Sequence, residues 1–202
     1  PSAPAQMTID TVAPGTPSII SIGSDTGKQG DGATADNTIE LNGKGEPGST
    51  ITIYDNGKPI GTAVVDETGN FSFTTPALPD GNHSFQTSAT DAAGNTSPLS
   101  APAAMTVDTT PPAPPTIVTV GTDTGIQGDH LTGDNTLEIK GKAEPGSTVK
   151  LYDNGVLIGT AVADANGNYS IQTNPLADGP HTFTTTATDP SGNESDPSAP
   201  FQ

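Results

Sequence analysis

The chain repeats itself once, and this duplication constrains its fold more than any other feature. Residues 7–104 align with residues 105–202 without a gap, so that Met7 matches Met105 and Ala104 matches Gln202. More than half of the aligned positions are identical. A duplication on this scale predicts two tandem domains of about a hundred residues each.

One short segment occurs three times and indicates where the repeats join. The tripeptide Ser-Ala-Pro stands at residues 2–4, 100–102 and 198–200. We therefore expect the chain to be an internal piece of a longer array. Residues 1–12 are predicted to be the end of a preceding repeat and its linker, 13–107 the first repeat, 108–112 a linker, and 113–202 the second repeat.

Within each repeat, short runs rich in β-branched residues alternate with turns that contain Gly, and no stretch has helical periodicity. The pattern predicts seven strands in the first copy, which we name A to G: residues 17–22, 38–44, 50–54, 59–65, 70–75, 82–91 and 99–107. Seven strands are typical of an immunoglobulin-like Greek-key β-sandwich. The expected fold class is thus all-β, with two such sandwiches arranged end to end.

The composition limits how each sandwich is stabilised. Hydrophobic residues make up 30% and aromatic residues 4%, with no Trp, so each core should be thin. Cys is absent, which excludes stabilisation by disulfides. No apolar run reaches the ~18 residues of a membrane helix, so we expect no direct membrane insertion.

The charge is strongly acidic, with 23 Asp and Glu against 6 basic residues and a net charge of −17. Such a polyanion repels nucleic acid and attracts divalent cations, so nucleic acid is not an expected partner. The alternative is that the acidic surface only keeps the protein soluble. The predicted partners are neighbouring repeats of the same chain, and the sequence leaves any other binding target open.

Many carboxylates raise the question of acid–base catalysis on glycosides, which uses carboxylate pairs. Here the carboxylates recur at the same turns in both copies, and few aromatic residues are present to stack a sugar. We therefore predict no catalytic residues. His83 and His181 begin strand F in the two copies and are predicted to be structural, whereas His130 has no counterpart.

The connection between strands A and B is long, and it is rich in Gly and Asp. Calcium takes about six to eight oxygen ligands, and glycines let a backbone curl around the ion. The spacing differs from that of an EF-hand. We predict one calcium ion in each of these loops, held by Asp25, Asp31 and Asp36 in the first copy and by Asp123, Asp129 and Asp134 in the second. The alternative is that these residues only cap turns.

A second kind of calcium site is predicted from strand direction. Because successive strands alternate in direction, the B–C, D–E and F–G turns should share one end of the sandwich with the incoming linker. An ion there would relieve repulsion between carboxylates and hold neighbouring domains at one angle. The prolines of the linker would limit the conformational freedom of the linker itself. The predicted sets are Asp10, Glu46, Asp91 and Asn95 in the first repeat, and Asp108, Glu144, Asp189 and Asn193 in the second.

Four strings carry a family resemblance: residues 49–57 (STITIYDNG), 69–73 (GNFSF), 90–95 (TDAAGN) and 107–111 (VDTTP). Together they resemble the bacterial immunoglobulin-like tandem repeats of giant adhesins and biofilm-associated surface proteins. The resemblance implies a calcium-binding stalk in a very long protein, secreted by a type I system to the bacterial cell surface. The alternative function is a recognition module that binds a surface glycan or a host protein.

Overall fold

The computed structural model describes residues 7–121, 124, 126 and 129–201, and these residues form two compact units. Unit 1 contains the residues up to Asp25 together with Asp36–Asp108. Unit 2 contains Thr26–Ala35 together with the residues from Thr109 onward. The segment Thr26–Ala35 belongs by sequence to the A–B loop of the first repeat, and its place in unit 2 was not predicted.

The strands of the first repeat follow the predicted pattern closely. Strands A to F begin and end within about two residues of the predicted bounds, whereas strand G begins later, at Ala103. The A–B loop also contains a two-residue strand that the sequence did not predict. In chain order the strands are β1 (Ser18–Ile22), β2 (Ala33–Thr34), β3 (Glu40–Lys44), β4 (Thr50–Asp55), β5 (Lys58–Val64), β6 (Asn70–Thr74), β7 (Gly81–Thr90) and β8 (Ala103–Val107).

Unit 1 is a sandwich of two antiparallel sheets. One sheet has the order β1-β3-β6, and the other contains the order β8-β7-β4-β5. Strand β5, which is the predicted strand D, therefore pairs with β4. In a constant-type immunoglobulin domain, strand D instead joins the sheet that contains strand E, here β6. The turn explains this choice, because Asn56 and Gly57 both have positive φ, 48° and 78°. This conformation forms the tight hairpin turn that binds two successive strands together.

The core of unit 1 is formed by the inward residues of both sheets. Ile51 and Ile53 alternate with more exposed neighbours along β4, as expected for a strand with one buried face. They pack with Leu41 and Phe71 from the first sheet and with Phe85 from β7. Phe85 is fully buried, so this ring anchors the contact between the two sheets.

Unit 2 repeats the same architecture. Its sheets have the orders β13-β10-β9 and β12-β11-β14, and Phe201 forms an isolated bridge to Phe183 beside β14. Apart from β2, which lies in its segment Thr26–Ala35, this unit has six strands within the described residues. They are β9 (Thr116–Val120), β10 (Glu138–Lys142), β11 (Thr148–Asp153), β12 (Val156–Val162), β13 (Asn168–Gln172) and β14 (Phe183–Thr188).

The structure confirms the predicted fold class, since both units are immunoglobulin-like β-sandwiches. Exchanges between the copies preserve the packing. Tyr169 replaces Phe71 in the core, and its hydroxyl donates a hydrogen bond to the Thr116 carbonyl at 3.1 Å. Burial raises the pKa of Tyr169. In the described parts of the chain there is no helix with the length and apolar character needed to cross a bilayer.

Candidate functional site

The predicted clustering of turns at one end is confirmed in unit 1. The Gly45 N–H of the B–C turn donates to the Gly69 carbonyl of the D–E turn at 3.1 Å. The Gly15 N–H of the incoming chain donates to Glu46 Oε2 at 3.4 Å. The F–G turn reaches the same chain, since Asn95 Nδ2 donates to the Asp10 carbonyl at 3.2 Å. Three turns and the linker therefore share one end of this sandwich.

The D–E and F–G turns are built from one motif, Asp-x-x-Gly-Asn, which occurs four times. In every copy the Asp Oδ1 accepts the backbone N–H of the Asn four residues later, at 2.8–2.9 Å. The Gly has positive φ in each, from 75° to 102°. The four copies begin at Asp66, Asp91, Asp164 and Asp189. The sequence pattern predicts only turns that contain Gly, although the spacing of this motif is visible in the sequence.

In the turns of Asp66, Asp91 and Asp164, these bonds lower the pKa of the Asp carboxyl group because they stabilise the ionised form. In Asp91 the largest cause of the lowered pKa is the side-chain hydrogen bond from Asn95, and backbone N–H groups of the same turn add to it. The pKa of Asp66 is lowered chiefly by the backbone N–H of Asn70, and that of Asp164 chiefly by the side chain of Asn168. The carboxylates thus act as acceptors that organise their own turns.

The first predicted junction set is partly brought together. Asp91 and Asn95 are in direct contact, with Asn95 Nδ2 at 2.8 Å from Asp91 Oδ2, and Asn95 in turn binds the Asp10 carbonyl. Glu46 is tied to the same stretch of chain through Gly15. All four members of this set, Asp10, Glu46, Asp91 and Asn95, thus belong to one end of unit 1.

The second predicted junction set is divided between the units. Asp108 belongs to unit 1, whereas Glu144, Asp189 and Asn193 belong to unit 2. Asp189 is buried and accepts the N–H groups of Gly192 and Asn193 at 2.7 Å and 2.9 Å. Calcium binding by this set remains a prediction.

The A–B loops contain the same Asx-type bonding. Asp31 Oδ1 accepts the Ala33 N–H, and Asp129 Oδ1 accepts the Leu131 N–H, each at 3.0 Å. Asp25 and Asp36 belong to unit 1 and Asp31 to unit 2, while Asp134 also lies in unit 2. Asp123 lies outside the described residues.

The segment of unit 2 that contains Asp31 is tied to the last Asp-x-x-Gly-Asn turn. The Lys28 N–H donates to the Pro190 carbonyl at 2.8 Å, and the Thr26 hydroxyl donates to the Ser191 carbonyl. Over the described ranges, no three His, Asp or Glu side chains converge closely enough to hold a metal ion. The loop calcium sites therefore also remain predictions.

A second repeated arrangement lies at the other end of each sandwich. His83 Nδ1 is 2.8 Å from Asp55 Oδ2, and His83 Nε2 is 2.9 Å from the Pro79 carbonyl oxygen. In unit 2, His181 makes the same pair of bonds with Asp153 and the Ala177 carbonyl, at 2.7 Å and 2.8 Å. We call each of these arrangements a histidine clamp. The sequence predicted structural histidines but did not identify their acidic partners.

These sandwiches, with their paired turns and clamps, define a protein of tandem immunoglobulin-like repeats. The chain belongs to the bacterial Ig-like domain family, whose sequence profile matches residues 5–109 and again residues 110–202. The two matches together cover nearly the whole chain. The search among curated proteins gave no match.

Solved structures with a similar fold include modules from several bacterial proteins. A biofilm-associated protein BSP domain is 21% identical over 93% of this chain and 29% of that one, with a TM-score of 0.35. Fibronectin(III)-like modules of Clostridium thermocellum CbhA are 19% identical over 88% and 90% of the two chains, with a TM-score of 0.45. The Yersinia pseudotuberculosis adhesin InvE is 17% identical over 85% and 56%, with a TM-score of 0.29. The chain spans about 29% of the length of the biofilm-associated protein structure.

Proposed function

We propose that the two repeats are structural extenders in the stalk of a large secreted adhesin on a bacterial cell surface, where they support cell adhesion or biofilm formation without catalysis. One observation carries the proposal: the same sandwich is built twice with the same turn motif and the same clamp at corresponding positions. Duplication of a whole sandwich adds length to a chain, whereas a catalytic cleft needs a single specialised site. Membership of the bacterial Ig-like domain family supports an extracellular location.

The proposal includes calcium as a stiffening ion. The donor set at the linker end of unit 1 fits this ion in its chemistry, because Asp10, Glu46, Asp91 and Asn95 offer carboxylate and amide oxygens, which calcium prefers. Their tie to one stretch of linker, through Asn95 and Gly15, supports a shared site. A bound ion would supply positive charge among carboxylates that otherwise repel one another.

The same proposal covers the other predicted sets. In the second repeat the residues are Asp108, Glu144, Asp189 and Asn193, and in the A–B loops they are Asp25, Asp31 and Asp36 with their counterparts Asp123, Asp129 and Asp134. The sequence correspondence between the copies supports these assignments. Binding at Asp108 and its partners would make the stalk rigid in the calcium-rich extracellular medium.

Urea unfolding in calcium and then in chelator tests the ion. An ion that binds only the folded state adds about 2.7 kcal/mol when it is a hundredfold above its dissociation constant. We expect the double variant Asp10→Asn/Asp91→Asn to lose much of this gain. The matched control is Asp66→Asn, which changes the same motif in the D–E turn at a residue outside the predicted calcium set, and it should keep the full response. Equal stability of the parent protein in calcium and in chelator would refute calcium binding.

Stiffening is tested separately by residual dipolar couplings, which report the orientation of each repeat. In the parent protein, calcium should make the couplings of the two repeats fit one common alignment tensor. The variant Asp108→Ala/Asp189→Ala should need two tensors whether or not calcium is present. An unchanged calcium response in this variant would overturn the junction site. Binding to a glycan array that survives chelation would instead support the recognition module over the extender.

A further inference from the structure

The segment Thr26–Ala35 comes from the first repeat in sequence but folds as part of unit 2. The residues on either side of it, Asp25 and Asp36, belong to unit 1. We call Thr26–Ala35 the strap. The contacts that place the strap in unit 2 therefore show what it recognises there.

Two hydrogen bonds of the strap go to the backbone of the turn Asp189–Asn193. The Lys28 N–H donates to the Pro190 carbonyl at 2.8 Å. The Thr26 hydroxyl donates to the Ser191 carbonyl. Both acceptors are peptide oxygens of the two middle positions of the Asp-x-x-Gly-Asn motif. These bonds depend on the backbone conformation of the turn and not on its side chains.

A pair of glycines brings the two backbones together. Gly27 of the strap and Gly192 of the turn both have positive φ, 67° and 102°. A Cβ on Gly27 would lie 2.6 Å from the Gly192 nitrogen and would overlap the Pro190 carbonyl oxygen. A Cβ on Gly192 would lie 2.9 Å from the Gly27 nitrogen. Only glycine permits so close an approach of one backbone to another.

The conformation of the strap is set by its own sequence. The Thr26 hydroxyl also accepts the Ala35 N–H at 2.6 Å, which closes the strap across nine residues. The second repeat makes the same bond, because Thr124 Oγ1 accepts the Gly133 N–H at 2.6 Å. These residues correspond in sequence to Thr26 and Ala35. A loop that is ordered in this way loses less conformational entropy when it docks.

The turn on the other side of the contact keeps its backbone while its middle residues change. The two F–G turns carry Ala92-Ala93 and Pro190-Ser191 between the same Asp and Gly-Asn. In both turns the Asp Oδ1 accepts the N–H of the Asn four residues later, at 2.8 Å and 2.9 Å. A contact made to the carbonyls of the middle residues is thus compatible with either pair.

We propose that the strap is a docking element that recognises the backbone of an Asp-x-x-Gly-Asn turn in the following repeat, whichever side chains occupy the two middle positions. Repeats that diverge at these positions keep the contact, whereas a side chain in place of Gly27 or Gly192 removes it. The docking needs no calcium, and it does not rest on the extender function.

Limited proteolysis of the full chain in chelator measures release of the strap. A lysine-specific protease cuts after Lys28, and the other lysines of the chain all lie in strands, at positions 44, 58, 140, 142 and 150. Cleavage after Lys28 therefore reports local opening of the strap. We expect Gly27→Ala to raise the initial rate of this cleavage by about tenfold or more, because the added methyl group prevents docking.

Two matched controls separate docking from other effects. Gly30 also has a positive φ, 88°, but a Cβ there has no neighbouring atom within 4 Å, so Gly30→Ala should be cleaved at the rate of the parent protein. The variant Pro190→Ala/Ser191→Ala gives the turn the middle residues of the first repeat, and it should also keep the parent rate. Thr26→Val removes the hydroxyl donor without changing Gly27, and it should accelerate cleavage.

Amide spectra distinguish release of the strap from unfolding of unit 2. In Gly27→Ala and in Thr26→Val, the amides of Ser191 and Gly192 should shift, while that of the core residue Val149 keeps its position. Parent-like cleavage of both variants would overturn the proposal. Equal acceleration by Gly30→Ala would overturn it too, because backbone strain in the loop would then be the cause. Acceleration in Pro190→Ala/Ser191→Ala would show that the strap recognises side chains, which contradicts recognition of the backbone.

Discussion

His83 donates from Nδ1 to Asp55 at 2.8 Å while its Nε2 lies 2.9 Å from the Pro79 carbonyl, so both ring nitrogens face acceptors. A carbonyl oxygen accepts only, and an ionised carboxylate accepts only, so the arrangement is satisfied by a protonated ring. Within the described residues, the other oxygen of Asp55, Oδ1, is buried and has no hydrogen-bond partner. Within the described residues, the Asp55 carboxylate therefore relies on His83 for its hydrogen bond.

The clamps should make stability depend on pH. Burial lowers the pKa of His83, but the bonds to Pro79 and Asp55 outweigh it, and the pKa is raised above its ordinary value of 6.5. In His181 the bonds to Ala177 and Asp153 raise the pKa. The contribution of the two clamps to the free energy of unfolding is thus complete below about pH 6.5, and it is lost as pH rises through the folded-state pKa of each histidine.

Urea unfolding between about pH 6 and 9 measures this loss. The variant His83→Gln/His181→Gln should have a nearly flat profile over that range. His130 stacks on Phe201 outside the clamps, so His130→Gln should keep the slope of the parent protein. A slope that survives the double substitution would show that other groups cause it.

Removing the acidic partner of one clamp should destabilise unit 1. We expect Asp55→Asn to lower the free energy of unfolding by about 1–3 kcal/mol, because a buried polar group loses its charged partner. The matched control is Glu67→Gln, which removes the same charge from an exposed side chain of the same unit and should change stability by less than about 0.5 kcal/mol. Equal effects of the two substitutions would contradict a specific clamp.

The Asp-x-x-Gly-Asn turn should need its carboxylate even without calcium. In chelator, Asp189→Ala is expected to cost about 1–2 kcal/mol, because the N–H groups of Gly192 and Asn193 lose their acceptor. Asp189→Asn keeps an oxygen at that position and should recover part of the loss. Thermal unfolding of the three proteins checks this order. Identical losses for Ala and Asn would show that charge, and not the acceptor, is what matters.

Gly43 should resist substitution because of a close approach between strands. A Cβ at this position would overlap the Ser18 carbonyl oxygen and the Phe71 ring. We expect Gly43→Ala to lower the free energy of unfolding by about 1–3 kcal/mol, as for an overpacked core. Gly15 has no neighbouring atom within 4 Å of such a Cβ, so Gly15→Ala should be close to neutral. Denaturant titration of both variants distinguishes the steric effect from a general effect of Ala.

The sequence by itself determined the features that depend on neighbouring residues. The strands follow from β-branched runs, and the hairpin of β4 and β5 follows from Asn56-Gly57, because turn geometry is set by local φ preferences. The four Asp-x-x-Gly-Asn turns are local in the same way, since each Asp binds an N–H only four residues away. The duplication then carried each assignment from the first repeat to the second.

The tertiary structure decided which distant groups meet. His83 and Asp55 are separated by 28 residues, and no local pattern in the sequence indicates that their strands place them together. The place of Thr26–Ala35 in unit 2 depends on bonds such as that from Lys28 to Pro190, far along the chain. The burial of Met105 has the same origin, because it depends on the pairing of β8 with another strand, β7.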